Sequence, residues 1–519
     1  MRPRELAARR EPLFPLVGRS RWPRPLLACG YGVGFVLLAT VALVRQAGVP
    51  AVQTLWAEDG LIFYSQALAH SFWRTLITAY NGYDQLVPRL VIQVAKLAPV
   101  ADVSAVVAVC GAGGLATLGC LVFHMSRGHI ASPALRGLLV AAMVALPLAN
   151  VEMLDNLVNL PWWLFFAAFW ALLWRPETAA GRVTAGLICC LAAASEPLVG
   201  VFVLLAVFRV WALPRLKEQA ASIGLVVGLV YQAAVVLGNH GENTFPKAGL
   251  SGLPTDFALR VGLGWLSGLR GTDAVVRWDR SVAEVLGLVL FAAIVVAGVK
   301  LGSKQGRAFV IAAAVMAPIC FAVPVWLRGA GPFMRLATTS VGYGGRYAAT
   351  SILMLVSAVL VLAGHLSTDR RRRVPVPVPV PAPVLNPAPA LAPSLAAVPA
   401  PAARAPAHFP ERASRAAPSG SLVGPSGSSG GGSRARWAFV ACCVLLLPAW
   451  VADFRDSNGR ARGPTWQSQL SVAAATCRTE TPASVVDVAI DPPRWMVFLP
   501  CRDLTHHGRG VTVPRQTTS

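Results

Sequence analysis

The chain has 519 residues, 55% of them hydrophobic and only 13% charged, with a mean hydropathy of +0.57. That balance excludes a water-soluble core of this size, because apolar runs of about 20 residues, each long enough to cross a bilayer, recur along it. The formal charge of +22 does not mark a nucleic-acid binder: Lys and Arg cluster between apolar runs and are not interleaved with aromatic residues on a polar domain.

Residues 1–25 carry seven arginines and no long apolar run, and residues 26–44 are apolar enough to span, so the amino terminus is predicted to stay cytoplasmic behind a signal anchor. A cleaved signal peptide is the competing reading, but the apolar stretch exceeds the usual h-region and further spans follow it. These are predicted at 101–123, 134–150, 160–174, 183–194, 198–211, 220–238, 281–299, 308–327, 347–366 and 437–452, about 11 in all. The pair around Ser195-Glu196-Pro197 reads as two tilted helices or one broken hairpin, since Pro197 interrupts the hydrogen-bond ladder. With the amino terminus inside, 26 of the 46 Lys and Arg residues fall on the cytoplasmic side, in keeping with the positive-inside bias. The acids divide the other way, 18 of 24 outside, so the exterior holds most of the carboxylate chemistry.

The predicted organisation is an all-α polytopic membrane protein. A cytoplasmic segment (1–25) leads into a multi-span domain (26–366) with an external loop at 45–100 that bears surface helices. A Pro-, Ala-, Gly- and Ser-rich stretch (367–436) is expected to be a disordered cytoplasmic linker, because proline removes backbone donors and too few large apolar side chains remain to offset ordering. The last span (437–452) delivers a small extracytoplasmic tail (453–519). Eight of the ten cysteines lie in or beside apolar spans as small hydrophobes. Cys477 and Cys501 lie in the tail and are predicted to form a disulfide. His506-His507 lacks metal-ligand spacing to any other cluster and reads as solvated.

The segment richest in chemistry is Trp56-Ala57-Glu58-Asp59-Gly60, two adjacent carboxylates just beyond the first span. A carboxylate there can take the proton of an acceptor hydroxyl, although two acids also commonly cap a helix near its positive dipole. Apolar residues at helical spacing over 61–68 predict an amphipathic surface helix, and Pro88 opens a second apolar stretch after Gly82, so the loop reads as a cap carrying Glu58, Asp59, Asp84 and Arg89. Arg346 and Tyr347 follow a glycine-rich run (342–345) at the outer start of a span, where a guanidinium can clamp a lipid phosphate or simply snorkel to headgroups. Glu152, Asp155 and Asn159 have i, i+3, i+7 spacing and share one face if a helix continues there, a face suited to sugar hydroxyls, with Trp162 and Trp163 beside it. Belt tryptophans and a capped turn are the simpler reading of that cluster. Glu196 falls between two short apolar segments, where an ionisable group generally faces a cavity or a partner. No P-loop, dinucleotide fingerprint, HExxH or CxxC pair is present.

The order of these parts, a basic start, one span, an acidic pair opening a long external loop, many spans and an external tail, resembles the GT-C fold of integral membrane glycosyltransferases over roughly 26–366. W-x-E-D-G, G-Y-x-x-x-V-P-R-L and G-R-Y are similar to segments of uncharacterised actinobacterial membrane proteins associated with that fold. The resemblance implies a polyprenyl-phosphate sugar donor, a cell-wall glycan or glycolipid acceptor, and a bacterial inner-membrane location. It also implies that an acid of the first external loop, Glu58 or Asp59, acts as the base or helps hold a divalent cation, whose ligands it does not assign. Arg346 would then meet the donor phosphate, with Arg89 a second cation. Two rivals share the sequence: a secondary transporter or lipid-linked glycan flippase centred on Glu196, and a non-catalytic membrane scaffold.

Overall fold

A computed structural model of the chain describes residues 12–16, 24–147, 152–238, 249–328, 344–368, 430–455 and 459–505. Most of the predicted cytoplasmic amino-terminal segment, nearly all of the predicted linker, residues 342 and 343 of the glycine-rich run, and His506-His507 lie outside those residues.

The described chain is mostly helical and follows the apolar runs closely. Helix α1 (Arg24–Arg45) is followed by a loop of short elements: a π-helical stretch (Asp59–Tyr64) running into α2 (Ser65–Ala69), then α3 (Phe72–Leu76) and α4 (Leu86–Lys96). The bundle continues with α5 (Val103–Met125), α6 (Pro133–Ala145), α7 (Leu160–Leu173), α8 (Ala179–Ser195), a 3-10 stretch (Pro197–Phe202) entering α9 (Val203–Ala212), and α10 (Ala220–Gly238). After α11 (Leu253–Phe257), a π-helical stretch (Ala258–Leu263) and the kinked α12 (Gly264–Trp278) come α13 (Arg280–Leu301), α14 (Lys304–Arg328), α15 (Gly345–Thr368) and α16 (Gly430–Ala452). Six of these helices are long and apolar enough to cross a membrane, and five more are apolar but shorter, so the chain has the build of an α-helical membrane protein.

The core centres on α7, every residue of which is buried. An apolar helix with no polar stripe is stable only when surrounded by others, and α7 sits among α5, α8 and α15. Outer helices leave one apolar side uncovered: Leu37, Val226 and Val289 are all exposed. Helices α8 and α10 cross at backbone contact, where a Cβ on Gly224 would lie 2.0 Å from the Gly186 carbonyl oxygen. Small residues permit such close crossings, which supply packing where no hydrophobic effect drives association.

Successive helices run between two poles of the bundle. One pole gathers the loop after α1, residues 152–159, Glu196, Arg328, Arg346 and the carboxy-terminal segment. Arg45 at the end of α1 ties this pole together, donating to the carbonyls of Phe454, Val144 and Leu146 at 3.0, 2.7 and 2.9 Å. The opposite pole carries Arg127, Arg136, an Arg175–Glu218 ion pair and the Ser303–His365 contact.

The tail adds the only sheet among the described residues. Helix α17 (Trp466–Cys477) packs on an antiparallel hairpin, β1 (Val485–Ile490) and β2 (Trp495–Pro500), followed by α18 (Cys501–Thr505). Strand β1 alternates exposed and buried residues, the pattern of a sheet with one wet face. The predicted disulfide is formed: Cys477 and Cys501 are bonded across a sequence separation of 24. Loop-closure entropy assigns such a bridge about 3 kcal/mol. Cys477→Ser is therefore expected to make the tail sensitive to trypsin at concentrations that leave the wild-type tail intact. Equal digestion rates with and without the bridge would refute that role.

Candidate functional site

The tail docks on the acidic motif itself. Asp491, just past β1, forms a parallel bridge with Trp56: its carbonyl accepts from the Ala57 amide and its own amide donates to Leu55 O at 3.2 Å. Ala57 is held at φ 27°, outside the regions L-residues favour, so the backbone turns sharply just before Glu58. The glycine of the motif has a packing reason. A Cβ on Gly60 would lie 2.5 Å from Ile490 Cδ1 and 2.7 Å from Val497 Cγ2, both on the hairpin. Gly60→Ala is accordingly expected to loosen the tail and lower the melting temperature by a few degrees; an unchanged melt would show that this contact gives way freely.

The two acids of the motif have different surroundings. Asp59 is fully buried, and its two carboxylate oxygens accept from the amides of Leu157 and Val158, each at 2.8 Å. Burial pushes its pKa up to about 7, and the two amides pull against that shift. Its carboxylate thus closes the backbone of the 152–159 loop. Asp59→Asn replaces one acceptor oxygen with a donor, which strands a buried amide at a cost of about 1–3 kcal/mol. The expected result is a less stable protein, read as a lower melting temperature in detergent; a fully stable variant would contradict this assignment.

Glu58 is half-buried and lies among Arg346, Glu152 and Tyr80. Burial raises its pKa above the usual carboxylate value; the Arg346 guanidinium lowers it, the neighbouring Glu152 raises it, and the Tyr80 hydroxyl, donating to it, lowers it. Burial likewise pushes Tyr80 up to about 12, assisted by the Glu58 charge, so Tyr80 remains a proton donor at neutral pH. Tyr80 is placed by a bridge to Tyr83 across a tight turn in which Asn81 and Gly82 have positive φ.

Arg346 completes the group from the first turn of α15. Its backbone amide donates to Glu152 Oε1 at 3.3 Å, and its Nη1 lies 3.9 Å from Glu152 Oε2. The side chain keeps 25% exposure, so a ligand can reach it. Its guanidinium lies 5.3 Å from the centre of the Tyr347 ring, which in turn packs edge-on against Trp162 at 5.3 Å. One glutamate, one arginine, one tyrosine hydroxyl and a second glutamate therefore share a partly open site at this pole.

Several other predicted site residues are engaged in internal pairs. Asp84 and Arg89 are both fully buried and face each other at 3.0 Å, with Tyr231 donating to Asp84 at 2.7 Å and Arg89 donating to Gln66 at 2.9 Å. Burial pushes Asp84 up to about 6 against the pull of Tyr231 and Arg89. Glu196 accepts from both terminal nitrogens of Arg328, at 2.8 and 2.9 Å, and Arg328 lies 4.2 Å over the Tyr83 ring. That arrangement closes the break between α8 and α9.

The predicted helical face of Glu152, Asp155 and Asn159 does not form. Residues 152–159 are turns and bends, Asp155 is at φ 55°, and α7 begins only at Leu160, with Pro161 in its first turn. Asn156 and Asn159 hold the loop by donating to Glu152 O, each at 2.7 Å. Glu152 alone turns toward Arg346. Asp155 instead feels the charges of Arg460 and Arg45, and burial pushes its pKa up to about 6.

Arg460, Asp491, Tyr80 and Arg328 are the residues that reading the sequence missed. Arg460 comes from the tail and is buried beneath the acidic motif, donating to Thr54 Oγ1 at 3.0 Å and Leu154 O at 2.9 Å. It also sits 5.8 Å from the Trp56 ring centre. Its charge is felt by Asp59, Asp155 and Asp491. The hairpin that delivers Asp491 left a signal, Asp-Pro-Pro-Arg between two apolar runs, whereas nothing local distinguishes Arg460.

Among the described residues, no group of three or more His, Cys, Asp or Glu side chains stands close enough to hold a metal ion. The chain matches no family model, and neither a curated protein nor a solved structure matches it.

Proposed function

We propose that the chain is a membrane glycosyltransferase of GT-C type that moves a sugar from a polyprenyl-phosphate carrier to an acceptor hydroxyl of a cell-wall glycan or glycolipid outside a bacterial inner membrane. In this reading all eleven apolar helices cross the bilayer, the amino terminus is cytoplasmic, and the pole bearing Glu58 and the tail is extracytoplasmic. The short helices α6 to α9 cross as interior or tilted elements, whose ends are extended by the packed loops. The distribution of arginines between the two sides supports that orientation.

The observation that carries the reading is the environment of Glu58: a half-buried carboxylate of raised pKa, next to a reachable arginine and a neutral tyrosine hydroxyl. Glu58 is the base. It takes the acceptor proton as the hydroxyl oxygen attacks the anomeric carbon and the bond to the phosphate oxygen breaks, which inverts the configuration there. Arg346 stabilises the charge that gathers on the departing phosphate. Asp59, its oxygens held by two amides, acts as a positioning residue for the loop that carries Glu152.

Donor binding tests the assignment separately from turnover. Arg346→Ala is expected to weaken binding of a short-chain polyprenyl-phosphate sugar about tenfold or more, while Glu58→Gln leaves it nearly unchanged. The reverse pattern would remove Arg346 from the donor site.

A further inference from the structure

The pole opposite Glu58 holds a basic site that has no acid paired with it among the described residues. Arg127, at the end of α5, donates to His124 Nε2 at 3.1 Å, and His124 Nδ1 lies 2.9 Å from the Tyr31 hydroxyl of α1. Because Nε2 accepts from the arginine, Nδ1 carries the ring proton and donates to Tyr31, whose own hydroxyl hydrogen is left to point elsewhere. Arg136 in α6 donates to Phe123 O at 3.0 Å and stacks on the Phe123 ring at 4.3 Å. Among the described residues neither Arg127 nor Arg136 makes an ion pair, and the solvent-shielded Nε atom of each has no hydrogen-bond partner. Arg136 is itself only 8% exposed. Two adjacent cations, one of them buried, with no counter-charge among the described residues are costly unless an anion joins them.

A cavity of about 160 Å³ is lined by both arginines and by Tyr31, Leu26, Leu27 and Phe123. The last four also line a second cavity of about 380 Å³, which runs along α1 past Gly30, Gly34, Leu37 and Leu38 to Val140. The first cavity is sized for a phosphate group and the second is walled almost wholly by apolar groups. Leu26 and Leu37 are 56% and 59% exposed, so the groove lies on the outer side of the bundle, where a lipid chain can enter sideways. We propose that this is a binding site for an anionic phospholipid, its phosphate held by Arg127, Arg136 and Tyr31 and one acyl chain lying in the groove beside α1. Basic pockets between membrane helices recognise lipid headgroups in this way. The site is separate from the proposed catalytic one and does not depend on that activity.

Full-length protein, delipidated in detergent, can be titrated with phosphatidylglycerol and with phosphatidylcholine of identical chains while bound lipid is counted by native mass spectrometry. Both lipids offer a phosphate, but the choline of phosphatidylcholine brings a further cation beside the two arginines, so wild type is expected to bind the anionic lipid at least about tenfold more tightly. Arg127→Gln, on the more accessible arginine, should reduce that preference severalfold, and Arg127→Lys should retain most of it. Gly34→Leu should weaken both lipids with the charges untouched. A Cβ at Gly34 meets nothing within 4 Å, so the added side chain fills the groove without disturbing the helix. Millimolar inorganic phosphate should fail to displace the lipid. Equal binding of the two lipids by wild type, a preference unaffected by Arg127→Gln, or full displacement by inorganic phosphate would each overturn the proposal, the last by showing a free-anion site.

Discussion

Glu58→Gln is expected to lose sugar transfer by a factor of about 10² to 10⁴, the range a positioned general base contributes, while the protein still folds and binds donor. The glutamine fills the same space and still accepts from Tyr80, so the packing around Arg346 persists. The pH dependence carries a sign. A base works as the carboxylate, and burial holds Glu58 above the usual glutamate pKa. The acid limb of kcat/KM should therefore lie at higher pH than for a solvent-exposed glutamate, with activity falling as pH drops through that raised value. The residual activity of Glu58→Gln should show no such limb. Asp59→Asn should behave differently, losing stability first and activity only to the extent that the 152–159 loop shifts. If Glu58→Gln turned over at the wild-type rate, another group would have to be the base.

Arg460→Met should have the largest effect on stability. Methionine roughly matches the aliphatic stem but removes a guanidinium on which the electrostatics of Asp59, Asp155 and Asp491 depend. Removing one partner from a buried charge cluster costs about 3–5 kcal/mol, because the remaining charges stay buried without compensation. The expected readout is an undocked tail, seen as rapid proteolysis after residue 455 and a melting temperature many degrees below wild type. Burial pushes both Asp155 and Asp491 up to about 6 in the folded protein, above their ordinary values. The folded state therefore holds more protons between those values, and their contribution to stability is greatest at low pH and declines as pH rises toward about 6. Arg460→Met should consequently sit closer to wild type at pH 5 than at pH 8. A defect that grew as pH fell would contradict the charge cluster as its cause.

Much of the fold can be read in the order of residues because hydrophobic length and periodicity are local properties. The predicted spans lie within a few residues of α1, α5, α7, α10, α13, α14 and α15, and the two short spans around Pro197 appear as α8 and α9. The Cys477–Cys501 bond was legible from compartment and elimination, since the other cysteines lie in apolar helices. Less legible was anything that depends on contacts across hundreds of positions. The hairpin bridges Asp491 to Trp56, and Arg460 reaches Thr54 and Leu154, so the acidic motif is completed by a segment that reads on its own as a polar tail.

The same limit governs the candidate site. Adjacent acids look equivalent in sequence, and only the amides of Leu157 and Val158 distinguish Asp59 from Glu58. Helical spacing at Glu152, Asp155 and Asn159 misled because the chain there is bent at Asp155 and held by asparagine side chains before Pro161 restarts the helix. Glu196 reads as an ionisable group facing a cavity or a partner and Arg89 as a second cation for the donor, whereas the fold engages them with Arg328 and Asp84, partners the sequence alone does not show. The kinked segment from α11 to α12 has no local signal for a related reason: the Leu269 amide donates to Asp453 at 2.6 Å, a partner 184 positions away.

The most direct test of the central claim is photocrosslinking of the intact protein in membranes, using a polyprenyl-phosphate sugar with a photoreactive group beside the phosphate and mapping the labelled peptides. The expected result is labelling at the start of α15 around Arg346 and Tyr347 and in the Trp56–Gly60 segment, competed by unlabelled donor. Labelling confined to the opposite pole, or none that donor competes, would contradict a donor site at Glu58 and Arg346.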